Sequence, residues 1–204
     1  MNFRDVNPVF SSTLYAIGKA VQSIVLNVVW RRRAYGQENI PPLGTPVIFA
    51  ANHRSFTDPG NAGSCVPYPI FYFAKEELFQ VPVLGWYIRR VNSFPVRRKE
   101  NDVGALKTAV DVLEHGGGLM LFPEGGRRLD PARQWKAKAG VALLACRTGA
   151  RVIPVGIKNA DKLSRLARLE VRFGKEMFPP KAAGREEYQH FADEIMRRIK
   201  ELCQ

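Results

Sequence analysis

His53 and Asp58 stand five residues apart in Asn52-His53-Arg54-Ser55-Phe56-Thr57-Asp58-Pro59, directly after the apolar run Val47–Ala51. A carboxylate on one ring nitrogen fixes the tautomer of an imidazole and supports its protonated form, while the other nitrogen takes a proton from a hydroxyl. The chain has no Gly-x-Ser-x-Gly elbow, so a serine nucleophile has no obvious carrier and the hydroxyl would be a substrate's. A plainer reading also fits the spacing. Asp58 before Pro59 suits the N-cap of a helix whose first position is proline, with His53 as a polar loop residue.

Two further groups have chemistry to offer. Arg97, Arg98 and Lys99 form one basic cluster. Pro123-Glu124-Gly125-Gly126-Arg127-Arg128 follows the apolar run Gly118–Phe122. A guanidinium presents a rigid fork of donors suited to phosphate oxygens, which makes Arg97 and Arg127 candidate phosphate ligands. Gly125 and Gly126 permit close backbone approach and positive φ. Glu124, amid this positive charge, either holds an arginine in place or touches substrate. Arg98, Lys99 and Arg128 are equally well read as a solvated basic face. Lys136 and Lys138 suit either a donor's phosphates or an ordinary surface.

The elements that must position these residues alternate. Residues 46–51, 69–74, 118–123 and 151–157 read as strands, nearly continuously apolar as buried strands are, and 169–174 reads as a further strand. Helical patterns fall at 58–65, 76–90, 101–115 and 137–148, and a periodic helix at 185–202 aligns Tyr188, Phe191, Ile195, Ile199 and Leu202. The expected fold is α/β, a mostly parallel central sheet flanked by helices. In such sheets ligands bind beyond the carboxyl ends of strands, where His53 and Glu124 fall.

Ahead of this domain, residues 9–30 carry Phe10, Leu14, Ile17, Val21, Ile24 and Val28 at helical spacing and run into Arg31-Arg32-Arg33. Lys19 falls near the middle, where a spanning helix would hold a cation only at a cost of several kcal/mol. An amphipathic helix lying in the interface, with Trp30 and the arginines at headgroup level, fits better. The alternative is a helix packed on the protein's own core. The expected organisation is a membrane-associating helical segment over 1–32 and an α/β domain over 33–204.

Composition narrows the partners. The chain has 204 residues, with 31 Lys and Arg against 19 Asp and Glu, a net charge of +12. Such a chain is drawn to polyanions: nucleic acid, anionic lipid or phosphorylated substrates. The basic residues sit beside strand-end motifs rather than along one helix interleaved with aromatics, which argues against nucleic acid. Cys65, Cys146 and Cys203 are too scattered for a zinc site and read as free thiols in a reducing compartment; no metal site and no secretory signal are legible.

Four blocks in order give the chain a resemblance to the glycerolipid acyltransferases, the family that includes 1-acylglycerol-3-phosphate acyltransferase. Asn52–Asp58 resembles their His-x4-Asp block, Val91–Arg98 the second block, in which a Phe precedes a basic residue by three, Phe122–Arg128 the Phe-Pro-Glu-Gly-Thr-Arg block, and Val152–Ile157 a proline-centred apolar strand. Val91 stands where the second block often has glycine, and Gly126 where the third often has threonine.

The resemblance implies an α/β enzyme at the membrane surface that moves a fatty acyl group from a thioester, on coenzyme A or acyl carrier protein, to a lipid hydroxyl. The expected acceptor is 1-acylglycerol-3-phosphate, with another lysophospholipid or an acylated amino-acid lipid as alternatives. A catalytically degenerate membrane-binding protein is the rival outside the enzyme class. His53 matches the general base, Asp58 its orienting partner and Arg97 a ligand for the acceptor phosphate. Glu124, Gly125 and Arg127 match the substrate-binding third block. No cofactor beyond the thioester co-substrate is implied. The expected location is peripheral or monotopic, on the cytoplasmic face.

Overall fold

The computed structural model describes residues 13–97, 102–127, 137–181 and 184–204. The element order is α1 (Thr13–Val29), β1 (Arg33–Tyr35), β2 (Val47–Ala51), α2 (Asp58–Gly63), β3 (Phe71–Lys75), α3 (Pro82–Arg90), β4 (Ser93–Val96), α4 (Val103–Glu114), β5 (Gly118–Leu121), α5 (Gly140–Thr148), β6 (Arg151–Lys158), β7 (Glu170–Phe173) and α6 (Arg185–Leu202). The strands form one seven-stranded sheet in the order β1-β7-β6-β2-β5-β3-β4. Every pairing is parallel except β6 with β7. The expected α/β class with a mostly parallel sheet is what the chain adopts.

The central strands are buried on both faces, which is why they read as unbroken apolar runs: all five residues of β2 and all four of β5 are buried. Helices α4, α5 and α6 cover one face, where Ala109, Leu113, Val141, Ala145, Ile195 and Ile199 meet Ile48, Leu119 and Val152. On the other face Val47, Phe49, Met120 and Ile153 pack beneath Leu26 of α1 and Ala62 of α2.

Several boundaries differ from the periodic reading. The stretch expected as one helix over 76–90 is a 3-10 turn, Glu76–Gln80, followed by α3, with Pro82 at its first turn. Proline has no N–H to continue the preceding turn and its ring favours a helix start, so the chain breaks and restarts there. The short strands β1 and β4 were not expected; at three and four residues they are too brief to carry an alternation. Helix α4 starts later than its pattern because the Asp102 carboxylate caps it, accepting from Ala105 N at 2.9 Å.

Of the N-terminal segment, α1 is described from Thr13, and Phe10 lies outside the described residues. Its inner side rests on the domain: Leu26 is buried, Lys19 Nζ donates to Val66 O, and Trp30 Nε1 donates to Leu163 O at 2.8 Å. Its outer side leaves Ile17, Val21, Ile24, Val25, Val28 and Val29 exposed. Among the described residues no helix is long and apolar enough to cross a membrane.

Candidate active site

The site forms where β2 and β5 end side by side. Beyond Ala51 the chain leaves the sheet, and Asn52 makes the departure possible. Its side-chain amide continues the ladder to β6, donating to Ile157 O at 2.9 Å and accepting from Ile157 N at 2.7 Å. An amide side chain that takes the place of a peptide group satisfies the neighbouring strand while the backbone turns away. The His53 N–H, freed by that turn, donates to Glu124 Oε1 at 3.1 Å. Glu124 thus ties the end of β2 to the loop after β5.

His53 and Asp58 meet. His53 Nδ1 lies 2.9 Å from Asp58 Oδ2. The same oxygen accepts Arg54 N at 2.6 Å and Ser55 N at 2.7 Å. The loop closes because Asp58 gathers three donors onto one buried oxygen. Asp58 is not the N-cap expected from its place before Pro59: Thr57 takes that position and Asp58 is the first residue of α2, while its carboxylate holds the imidazole. That carboxylate serves the loop before it rather than the helix N–H groups, since α2 has no side-chain cap bond. The Phe122 ring stacks on His53, centroids 4.1 Å apart and planes 21° from parallel. One ring face is thereby covered and Nδ1 is committed to Asp58, so Nε2 is the nitrogen left for a substrate.

The loop after β5 is a tight turn. Gly125 N donates to Phe122 O at 2.9 Å, and Gly125 has φ of 71°, a left-handed conformation that disfavours any side chain. A Cβ there would also lie 2.7 Å from Lys138 Nζ. Lys138 is drawn to this place by its own N–H, which donates to Pro123 O at 2.8 Å. The ammonium therefore lies over the Gly125 turn.

Beside the turn opens a cavity of about 520 Å³. Phe73, Val96, Leu106, Leu121, Val141 and Leu144 make most of its wall, and Arg97, Gly125 and Lys138 stand among its polar lining. Arg97 is not turned onto Arg127. Its guanidinium grips Glu76, Nε to Oε2 at 2.8 Å and Nη2 to Oε1 at 3.2 Å, in an exposed pair. Arg127 instead lies flat over Phe56, with Cζ 3.2 Å from the ring centroid. Arg98, Lys99, Arg128 and Lys136 lie outside the described residues. Among the described residues no three His, Cys, Asp or Glu side chains cluster as a metal site.

Asn52, Phe122 and Glu76 were not singled out by sequence. Asn52 had a signal, an amide one residue past a buried strand. Phe122 had one too, as an aromatic at the matching end of the neighbouring strand. Glu76 had none, because its partner stands 21 residues away.

The chain as a whole is similar to several known proteins. A chloroplast 1-acyl-sn-glycerol-3-phosphate acyltransferase of Arabidopsis thaliana is 29% identical over 149 residues, 72% of this chain and 41% of that protein. The enzyme of the same name from Bacillus subtilis is 25% identical over 186 residues, 88% of this chain and 92% of that protein. The chain thus spans about two-fifths of the length of the chloroplast relatives and nearly all of the Bacillus one. The crystal structure of the 1-acyl-sn-glycerophosphate acyltransferase PlsC from Thermotoga maritima superimposes with a TM-score of 0.69 at 25% identity, covering 96% of this chain and 85% of that one. The family model described as Acyltransferase matches residues 31–158, which include β2, the dyad loop, the Gly125 turn and β6. This chain belongs to the Acyltransferase family.

Proposed function

We propose that the protein transfers a fatty acyl group from a thioester, acyl-CoA or acyl-acyl carrier protein, to the free hydroxyl of 1-acylglycerol-3-phosphate, giving phosphatidic acid. The observation that carries this reading is the buried His53–Asp58 pair, 2.9 Å apart, with His53 stacked on Phe122, a residue that also lines an apolar cavity together with Arg97 and Lys138. The names of the relatives supply the acceptor.

The chemistry needs no acyl-enzyme. His53 Nε2 takes the proton of the acceptor hydroxyl as its oxygen attacks the thioester carbonyl carbon. Asp58 supports the imidazolium that forms. The carbon–sulfur bond breaks, and the thiolate leaves with the proton returned from Nε2. Asn52, Glu124 and Phe122 hold the imidazole without touching the reacting atoms. The cavity suits an acyl chain, since its walls are apolar and it adjoins the base. Arg97 suits the acceptor phosphate: its exposed pair with Glu76 is weak, worth about 0–1 kcal/mol, so a phosphate dianion can displace the carboxylate. Arg127 and the Gly125 turn complete the phosphate side.

The protein works at an interface. The apolar outer side of α1 ends at Arg31, Arg32 and Arg33, as in peripheral or monotopic proteins that lie on anionic lipid. Both thioester donors belong to the cytoplasmic side.

The test is a purified chain offered mixed thioester donors and a panel of lysolipids, with products identified by mass spectrometry. Phosphatidic acid should dominate, and His53→Ala should lose on the order of 10²-fold or more in rate while folding normally. Preferred acylation of a different acceptor overturns the substrate assignment. Retention of more than about a tenth of the rate by His53→Ala overturns the mechanism, because general-base catalysis is worth more than that.

A further inference from the structure

We infer that α3 is a second lipid-contacting element and that its Val83, Leu84, Trp86 and Tyr87 side docks on an anionic bilayer together with the outer side of α1. The inference rests on the proposed function, a lipid acyltransferase working at an interface, and extends it to a part of the α/β domain.

Helix α3 has nine residues and buries only Gly85 and Ile88. Val83 is 82% exposed and Trp86 52%, with Leu84 and Tyr87 also exposed. Four large apolar side chains on so short a helix exceed the scatter of single exposed apolar residues that any surface shows. The helix packs against the preceding 3-10 turn and against β4, the strand at the edge of the sheet. The Tyr72 phenol of β3 is pushed up chiefly by its burial, with smaller contributions from Tyr15 of α1 and Tyr87 of α3. Both α1 and α3 thus carry exposed apolar side chains from different parts of the sequence.

Charge selects the occupant. Neither helix contains an acidic residue, and both lead into arginines, Arg89 and Arg90 in α3 and Arg31 to Arg33 after α1. The Arg90 guanidinium lies 4.3 Å from the Trp86 ring centroid. An aromatic ring with a cation laid on it is suited to the headgroup level, where the ring meets apolar surface and the charge meets phosphate. The nearest carboxylates are engaged, Glu76 with Arg97 and Glu77 with Lys75 at 2.8 Å. An apolar side framed by arginines matches anionic lipid better than a protein surface of mixed charge.

After Arg90 the chain runs through Val91 and Asn92 into β4, which ends at Val96 beside Arg97. Arg97 thus stands one short strand, Ser93–Val96, beyond the arginines of α3.

The test uses the full chain carrying Val83→Glu and Trp86→Ser together. Both side chains are exposed, so the fold loses little. Vesicles of phosphatidylcholine with phosphatidylglycerol report binding by co-sedimentation. Activity is read on acceptor embedded in those vesicles and on acceptor dispersed in detergent. Phe178→Glu serves as control, because Phe178 is equally exposed but lines a groove against α6 on the other side of the sheet.

The double variant should bind vesicles at least about tenfold more weakly and lose activity there in proportion. Its detergent activity should stay within about twofold of wild type, with binding by the control unchanged. Wild-type vesicle binding by the double variant overturns the inference. So does a dimer, seen by sedimentation equilibrium, that the double variant dissociates, because the surface then belongs to a second copy. A wild-type protein that binds vesicles through α3 but acylates nothing in detergent leaves the inference standing and refutes the proposed function instead.

Discussion

Replacing Asp58 with asparagine keeps the shape of the dyad loop and removes its charge. Asp58 is fully buried, and its Oδ2 accepts from Arg54 N at 2.6 Å, Ser55 N at 2.7 Å and His53 Nδ1 at 2.9 Å. Two backbone donors converging on one point decide how the new amide sits, because its NH2 group there would face them donor to donor. The amide oxygen therefore takes the carboxylate oxygen's place, the turn survives and the imidazole keeps an acceptor. What is lost is the support of the imidazolium. A hydrogen bond to a charged group contributes about 1.5–3 kcal/mol against about 0.5–1.5 for a neutral one. Parting a buried charge from its partner costs up to about 3–5 kcal/mol. A loss between about 1.5 and 4 kcal/mol corresponds to a kcat lower by roughly 10- to 10³-fold, with a melting temperature close to wild type. Asp58→Ala should fall as far in rate and also unfold earlier. It strands the Arg54 and Ser55 N–H groups at about 1–3 kcal/mol each, a drop on the order of 4–20 °C for a chain of this size. Thiol release under single-turnover conditions and thermal unfolding measure the two effects. A kcat for Asp58→Asn within threefold of wild type, with unfolding unchanged, would refute the dyad and leave Asp58 as an organiser of the turn alone.

Arg97→Ala and Arg127→Ala should each raise the KM for lysophosphatidate more than the KM for an uncharged monoacylglycerol, with lysine rescuing only in part because it lacks the fork. Equal proportional losses on both acceptors would make the arginines structural. Gly125→Ala should cost about 1–2 kcal/mol for its left-handed conformation and displace Lys138, and unchanged melting and turnover would contradict that geometry. Leu144→Trp should fill part of the cavity and shift preference toward shorter acyl donors in a chain-length series; an unchanged profile would mean that the chain lies elsewhere. The carboxyl of Asp102 is held below its usual range by the backbone N–H groups of Ala105 and Arg97. Its contribution is therefore complete above the ordinary aspartate value of about 3.9 and is lost as pH falls through the lower folded value. Asp102→Asn should flatten that part of the acid limb of a stability–pH curve, and an unaltered limb would show that the cap carries no such linkage.

The parts of this fold that were legible are those whose signal is local. Strand β2 announces itself because both of its faces are buried, and α6 because Phe191, Ile195 and Ile199 fall on one buried side. The dyad was legible because its partners are separated by only five residues and the loop between them is closed by Asp58 itself. What stayed hidden depends on neighbours distant in sequence. β1 exists because Leu169 and β7 offer it hydrogen bonds, not because three residues prefer extension. Arg97 looks like an open phosphate fork in sequence, yet it holds Glu76, a residue that only the pairing of β3 with β4 brings near. Glu124 was legible as a carboxylate among cations, but its role under the His53 N–H follows from the parallel register that ends β2 and β5 together.

Transfer and hydrolysis of a thioester use the same base and the same attack; only the nucleophile differs. An imidazole that can deprotonate a lipid hydroxyl can also activate a water molecule, so the dyad by itself cannot secure the product. Discrimination has to come from what reaches Nε2. In this chain Asp58 is sealed, His53 is buried and Phe122 lies over one face of its ring, which narrows access to one edge. The adjoining cavity is walled by Phe73, Leu106, Val141 and Leu144, and a water molecule in such surroundings finds few of the hydrogen-bond partners it needs. An acyl chain that fills the cavity removes even that space. On the proposed mechanism the acceptor is then favoured because its own apolar tail and its phosphate carry the hydroxyl to the open edge, while water has neither. On the same proposal, the lysophospholipid reaches that edge from the surface on which α1 and α3 are inferred to rest.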